Sequence, residues 1–257
     1  MLATLDIGNS RLKAALWQRG EIVAVAAADY DRLGETMPQQ ISDFVRAPLF
    51  TGNAVERILA ACVAGEPVEQ ALTAVALQAG LPVVEFFRSS VQCCGITHAY
   101  ADPAQHGVDR WAALIGARKL HAGPLCIVSV GTAVTVDLLG ADNVHLGGRI
   151  MPGLGMMQAA LRQTAGVRQV DGEPVIFART TADAVCSGVH SMLQAGIRQA
   201  MADARRLLGD NMHTFLTGGQ AGLIHDALHR QRQVDMAAVS QQPHLVMHGL
   251  QTAAEQG

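Results

Sequence analysis

Short apolar runs separated by glycine-bearing polar turns set the rhythm of this chain. Met1–Leu5 is apolar, Asp6-Ile7-Gly8-Asn9-Ser10 forms a polar stretch, and Leu12–Trp17 is apolar again. That order predicts a buried strand, a tight turn and a strand running back, with Glu21–Ala28 as a third strand beyond Arg19-Gly20. Asp31–Val45 is polar and helix-compatible, Arg57–Val63 reads as a strand, Pro67–Ala79 as a helix opened by its proline, and Val83–Phe87 as a short strand. Periodicity fails between Cys94 and His106, which predicts an irregular loop, and an Ala-rich apolar stripe then predicts a helix over Trp111–His121.

The second half repeats the opening. Leu125–Val130 is an apolar strand broken only by Ser129, and it runs into Gly131-Thr132-Ala133. Val134–Leu139 and Val144–Ile150 follow as strands around a turn at Gly140–Asn143. Leu5-Asp6-Ile7-Gly8-Asn9-Ser10 and Val128-Ser129-Val130-Gly131-Thr132-Ala133 align without a gap, so the chain reads as internally duplicated. Beyond Met151-Pro152-Gly153 a helix runs to about Thr164, and Gly172–Phe177 is a poorly periodic connection. A long helix follows over Thr180–Leu208, then a strand over Asn211–Leu216 ending in Thr217-Gly218-Gly219, and a terminal helix from His244 to Glu255. Strands and helices in this order predict an α/β fold with mixed sheets flanked by helices. The expected boundary lies near residue 121, giving an N-terminal lobe of residues 1–121 and a C-terminal lobe of residues 122–257.

Composition narrows the partners. The 257 residues are 49% hydrophobic and only 16% charged, so much surface is available for burial between lobes or subunits. The net charge is −3 and no Lys/Arg cluster stands out, which argues against nucleic acid. No apolar run is long enough to span a bilayer, and the N-terminus carries no signal-peptide pattern. Cys62, Cys93, Cys94, Cys126 and Cys186 are an odd set without Cys-x-x-Cys spacing, as expected of free, buried thiols in a reducing cytoplasm.

The candidate chemistry sits at the turns. Gly8 gives the first turn its freedom and leaves room for a ligand, Asn9 and Ser10 offer hydrogen-bonding groups, and Asp6 places a carboxylate where a hydrated magnesium ion could be held. A plain hairpin with a polar turn accounts for the same segment. Asp109 and Arg110 fall in the first turn of the helix that follows Gly107-Val108. Asp109 suits a capping role as well as a catalytic one, whereas a cation at that end calls for an anionic partner. Three strand-ending glycine turns fit a nucleotide held between two lobes, as in the actin, Hsp70 and sugar-kinase superfamily, whose duplicated actin-like (ribonuclease H-like) fold this pattern resembles. No Walker A sequence is present.

Finer motifs occur in a set order: Asp6 to Ser10 with Lys13, Tyr100 with Pro103, Gly107-Val108-Asp109-Arg110, Gly131-Thr132-Ala133-Val134-Thr135, Gly147-Gly148-Arg149-Ile150-Met151-Pro152-Gly153, Thr181 seven residues before Gly188, and Thr217-Gly218-Gly219. Together they resemble the type III pantothenate kinase family, from the first residues to about Gly219. The resemblance implies that Asp6, Ile7, Gly8, Asn9, Ser10, Arg11, Leu12 and Lys13 form the first phosphate-binding turn and that Thr132 contacts ATP from the second. It implies that Tyr100, Gly107, Val108, Asp109 and Arg110 bind pantothenate, with Asp109 as catalytic base and Thr181 reaching substrate across a homodimer interface. Magnesium with ATP and a monovalent cation, potassium or ammonium, are the implied cofactors. In the chemistry, Asp109 would take the proton from the primary hydroxyl of pantothenate as it attacks the γ-phosphorus, and Arg110 would meet an anionic group.

One departure stands out. Where the family's second motif carries an aspartate at the monovalent-cation site, this chain has Ser129. A neutral hydroxyl is the weaker ligand, so either potassium binding is looser or backbone carbonyls carry it, and a weakened or altered potassium requirement is expected. Other positions carry plainer readings. Asp137 is either a helper of the magnesium site or a solvent-facing carboxylate. His225/His229 and His244/His248 have helical metal-site spacing but suit surface histidines, Met156 and Met157 suit core or interface filling, and Cys126 suits a buried small residue. Two rival functions are a nucleotide-binding regulator without transfer activity and a kinase for another small hydroxyl substrate.

Overall fold

The computed structural model describes residues 1–164, 167–168, 170–231 and 235–256. Two compact units divide the chain: Met1–Ala122 together with His244–Gly257, and Gly123–Pro243.

In the first unit β1 (Leu2–Ile7), β2 (Arg11–Gln18) and β3 (Glu21–Asp29) form an antiparallel meander. Helices α1 (Met37–Val45) and α2 (Pro48–Thr51) lead to β4 (Arg57–Cys62), which lies parallel to β1. Helix α3 (Glu66–Gln78) then carries the chain to β5 (Val84–Phe86), completing the sheet order β3-β2-β1-β4-β5. The central β1 is covered on both faces, so Ala3 to Ile7 are all buried, the polar Thr4 and Asp6 included. Leu5, Ile7, Leu12 and Leu16 pack against Ile41, Phe44, Val68 and Leu72 on one face. The other face, bearing Thr4, Asp6, Ala15 and Trp17, is covered by α4 (Val108–Leu120) and the terminal helix described below.

The second unit repeats this plan. β8 (Leu125–Val130), β9 (Ala133–Leu139) and β10 (His145–Pro152) are antiparallel, α5 (Leu154–Thr164) and α6 (Thr181–Leu208) follow, and β11 (His213–Thr217) lies parallel to β8. After α7 (Ala221–Gln231), β12 (Val239–Gln241) completes the order β10-β9-β8-β11-β12. Strand order and directions match the first sheet position for position, so the gapless echo in the sequence corresponds to a structural duplication.

Two expectations need correction. The terminal helix, α8 (Leu245–Gln256), was expected with the second lobe but packs in the first unit against α4. The reason is a glycine pair: a Cβ on Gly249 would lie 1.8 Å from Ala112 O, and one on Gly116 would lie 2.1 Å from Leu245 O. The helices meet backbone to backbone, an approach only glycine permits. Second, the segment expected as an irregular loop contains a hairpin of β6 (Gln92–Cys93) and β7 (Ile96–Thr97) around Cys94-Gly95. Both turn residues have positive φ, +51° and +75°, as a two-residue hairpin turn requires.

Candidate active site

The first strand-end turn is held open by its neighbours. Asp6 lies opposite Lys13 in the β1–β2 register, so the hairpin returns Lys13 to the carboxylate although it sits a strand-length on in sequence. Lys13 Nζ is 2.9 Å from Asp6 Oδ2, with side chains 30% and 11% exposed. Gly8 N–H donates to Arg11 O at 3.0 Å and closes the turn. Tyr30, just beyond β3, braces it: its hydroxyl donates to Gly8 O at 2.7 Å and its N–H to Ser10 O at 3.1 Å. Burial, with Cys62 nearby, pushes the Tyr30 phenol up to about 12, so it remains a donor through the neutral range. The side chains of Asn9, Ser10 and Arg11 are exposed, whereas Ile7 and Leu12 are core residues that offer a ligand only their backbone. Tyr30 was missed in the sequence because nothing local marks it; only the pairing of β3 beside the turn does.

The corresponding turn of the second unit is tighter. Gly131 N–H donates to Ala133 O at 3.0 Å, leaving Thr132 exposed at the tip. Two glycines press on this turn from elsewhere in the unit. A Cβ on Gly153 would lie 2.4 Å from both Gly131 O and Thr132 O, and one on Gly218, at φ +91°, would lie 2.4 Å from Val130 O. The Pro152-Gly153 and Gly218-Gly219 motifs, far apart in sequence, therefore frame one turn. The strand registers expose a difference between the units. Asp6 is flanked by Lys13 and Ala61, whereas Ser129 is flanked by Thr135 and Thr217, a row of neutral hydroxyls. Asp137 does not face solvent: it is 2% exposed, with one oxygen 3.3 Å from His145 Nε2.

The third group lies in the first unit, where the β6–β7 hairpin leads into α4. His98 and His106 are buried, with Nε2 of the first 2.8 Å from Nδ1 of the second, and His98 Nδ1 accepts the Tyr100 N–H at 2.9 Å. Tyr100 and Trp111 rings pack on His98 at centroid distances of 5.2 and 4.6 Å. Arg110 is only 7% exposed, and its Nη2 reaches the Tyr100 hydroxyl at 3.5 Å. Asp109 is half-buried and its Oδ1 accepts the Arg110 N–H at 2.8 Å. Gly107 lies directly under that carboxylate, since a Cβ there would be 2.7 Å from Asp109 Oδ1. Val108 is a core residue and contributes backbone only. Thr181 is exposed at the start of α6, beside Thr180, whose Oγ1 caps the helix by accepting the Asp183 N–H at 3.2 Å. The histidines that seat Tyr100 were not anticipated; their spacing from it is the one signal the sequence offers.

Two sheets of this order, each with a glycine turn after its first strand, define the actin-like fold. Solved structures agree. A putative Baf family transcriptional activator from Campylobacter jejuni superposes with a TM-score of 0.59 at 17% identity, covering 99% of this chain and 98% of that one. MreB5 of Spiroplasma citri bound to AMPPNP gives 0.53 at 11% identity, with 99% and 96% covered.

The sequence relatives are more specific. The type III pantothenate kinase family model matches residues 2–203. A type III pantothenate kinase of Azoarcus sp. (strain BH72) is 36% identical over 256 residues, covering 99% of this chain and 90% of the relative. The chain belongs to the type III pantothenate kinase family and is a kinase.

Membership implies ATP and a divalent metal. The first turn fits that pair on its own chemistry: a carboxylate oxygen at a strand end is a hard donor suited to magnesium, and an ammonium group 2.9 Å away suits phosphate. Among the described residues no helix is long and apolar enough to cross a membrane.

Proposed function

We propose that this chain transfers the γ-phosphoryl group of ATP to the primary hydroxyl of pantothenate, giving 4′-phosphopantothenate, the first step of coenzyme A biosynthesis. The observation that carries this reading is the assembly of Tyr100, Asp109 and Arg110 at the start of α4 in a chain of this family. Asp109 accepts the hydroxyl proton as that oxygen attacks, and Arg110, already desolvated, holds an anionic oxygen of substrate or transferring group. Tyr100 fixes the Arg110 fork. The Asp6–Lys13 turn takes the ATP phosphates, with Lys13 turning from Asp6 to phosphate as the nucleotide arrives, and the family likeness makes exposed Thr132 a further ATP contact. Magnesium held through Asp6 supplies charge neutralisation.

The decisive experiment is an ADP-release assay over a panel of small hydroxyl acceptors. ADP release confined to pantothenate is expected. Release with a different acceptor would make this a kinase for that substrate, and pantothenate-independent ATP turnover would favour a nucleotide-driven regulator.

The geometry around Gly107 yields a further expectation. Gly107→Ala would push the Asp109 carboxylate aside, since the new methyl would lie 2.7 Å from its oxygen. A carboxylate displaced by about 1 Å costs on the order of 10²-fold in kcat, with ATP binding retained, as steady-state kinetics would read.

The monovalent-cation position carries Ser129 among Thr135 and Thr217. Without a carboxylate there, activation by potassium is expected to be weaker or to need higher concentrations. Rates measured in potassium against a sodium background test this, and strong activation at low potassium would refute it. Homodimerisation is part of the same proposal, with the active site at the interface. It is supported by the apolar surface of the second unit near α6, where Ile176 and Phe177 are 94% and 93% exposed, and by exposed Thr181 at the start of that helix. Five free cysteines support a cytoplasmic enzyme.

A further inference from the structure

The β6–β7 hairpin presents two adjacent thiols. Cys93 ends β6 opposite Ile96, and Cys94 with Gly95 makes the turn, so the hairpin holds both sulfurs on one short bend, Sγ to Sγ 3.5 Å apart. Both cysteines are half-buried and reachable, while Cys62, Cys126 and Cys186 are buried. Burial pushes the Cys126 thiol up to about 12, the condition of an inert structural cysteine. At the hairpin the two sulfurs share a hydrogen bond that either can donate, and that bond draws the Cys93 thiol down while raising the Cys94 thiol. A low-pKa attacking thiol next to a second, resolving thiol is the arrangement that thiol–disulfide exchange uses.

The hairpin is also tied to the segment that carries the proposed acceptor site. Fully buried Ile96 anchors β7, the His98 N–H donates to Val91 O at 2.9 Å across the hairpin base, and His98 then seats Tyr100, which reaches Arg110. A change at the turn is therefore passed along a short, hydrogen-bonded path. We propose that Cys93 and Cys94 form a modification site that reacts with low-molecular-weight disulfides of the glutathione class, closing to a vicinal disulfide that distorts the Tyr100–Arg110 segment. In the first step the Cys93 thiolate attacks one sulfur of the small disulfide, forming a mixed disulfide and releasing one thiolate. Cys94 then loses its proton to solvent and attacks Cys93 Sγ, the mixed bond breaks and the second thiolate leaves. Two protein thiols are oxidised and one small disulfide is reduced to two thiols. Neighbouring Cα atoms sit at about 3.8 Å, closer than the usual span of a disulfide, so the turn must rearrange and the bridge is readily reduced again.

The effect on pantothenate rests on the functional reading above, whereas the thiol chemistry does not. The test uses the full-length protein, reduced, freed of reductant and incubated with oxidised glutathione. Intact mass and peptide mapping should show loss of two hydrogens confined to the Cys93–Cys94 peptide, reversed by dithiothreitol. Cys94→Ser should stop as a glutathione adduct on Cys93, and Cys93→Ser should react far more slowly. In the oxidised protein the KM for pantothenate should rise several-fold with the KM for ATP unchanged, and the Cys93→Ser/Cys94→Ser double variant should be insensitive. Absence of the two-hydrogen loss, or an adduct on Cys94 in place of Cys93, overturns the site. Unchanged pantothenate kinetics in fully oxidised protein overturns its coupling to the acceptor segment. A reduced protein inactive toward pantothenate would instead count against the functional reading, with the mass readout still deciding the thiol chemistry.

Discussion

Replacing Asp109 with asparagine should lower kcat by about 10²- to 10⁴-fold, the loss expected when a general base is removed. The substitution suits the question because it keeps an oxygen where Oδ1 accepts the Arg110 N–H at 2.8 Å, so that first-turn N–H of α4 keeps its acceptor. What it removes is basicity. Fold and nucleotide affinity should therefore stay near those of the parent, measured by thermal unfolding and ATP-analogue titration, while saturating turnover collapses. If turnover survives, Asp109 is a capping residue and transfer relies on positioning alone, which phosphoryl chemistry can partly tolerate.

Gly249→Ala should be among the most damaging single-methyl changes available to this chain. The added Cβ would fall 1.8 Å from Ala112 O, a backbone atom that cannot rotate away, so α8 must lift from α4. Separation would loosen the cluster of Leu59, Ala61, Val108, Ala112 and Leu250 that covers one face of the first sheet. Overpacking of this severity costs about 3 kcal/mol, or a fall in Tm of ~6–12 °C for a chain of this size. Gly222→Ala is the control. It lies in α7, where the nearest atom to a new Cβ is a glutamine side-chain oxygen at 3.8 Å, and alanine is the better helix former. Equal Tm values for the two variants would show that the close approach of α4 and α8 carries no stability.

The duplication was legible because it is written in local pattern: an apolar run, a glycine, a small polar residue and an apolar run again, at residues 5–10 and 128–133. Strand order follows from that repeat once both meanders are granted. What stayed hidden depends on contacts between distant segments. Lys13 is seven residues from Asp6 along the chain, and only the hairpin register returns it to that carboxylate. Gly153 and Gly218 gave no local sign that they press on the Gly131–Thr132 turn. Asp137 looked like a strand-end carboxylate, yet its pairing with His145 needs β9 and β10 in register before it exists. Cys94-Gly95 could have been found, since a two-residue turn ending in glycine between paired residues is a hairpin signal, but Cys94 is an unusual choice for positive φ.

The return of α8 to the first unit also bears on how the chain is made. Residues 123–243 are contiguous, so the second unit can complete its sheet as soon as they emerge. The first unit cannot, because the face of its sheet carrying Thr4 and Trp17 waits for Met247 and Leu250. On the ribosome the second unit can therefore mature before the first, whose sheet keeps an uncovered face until the residues of α8 have been made.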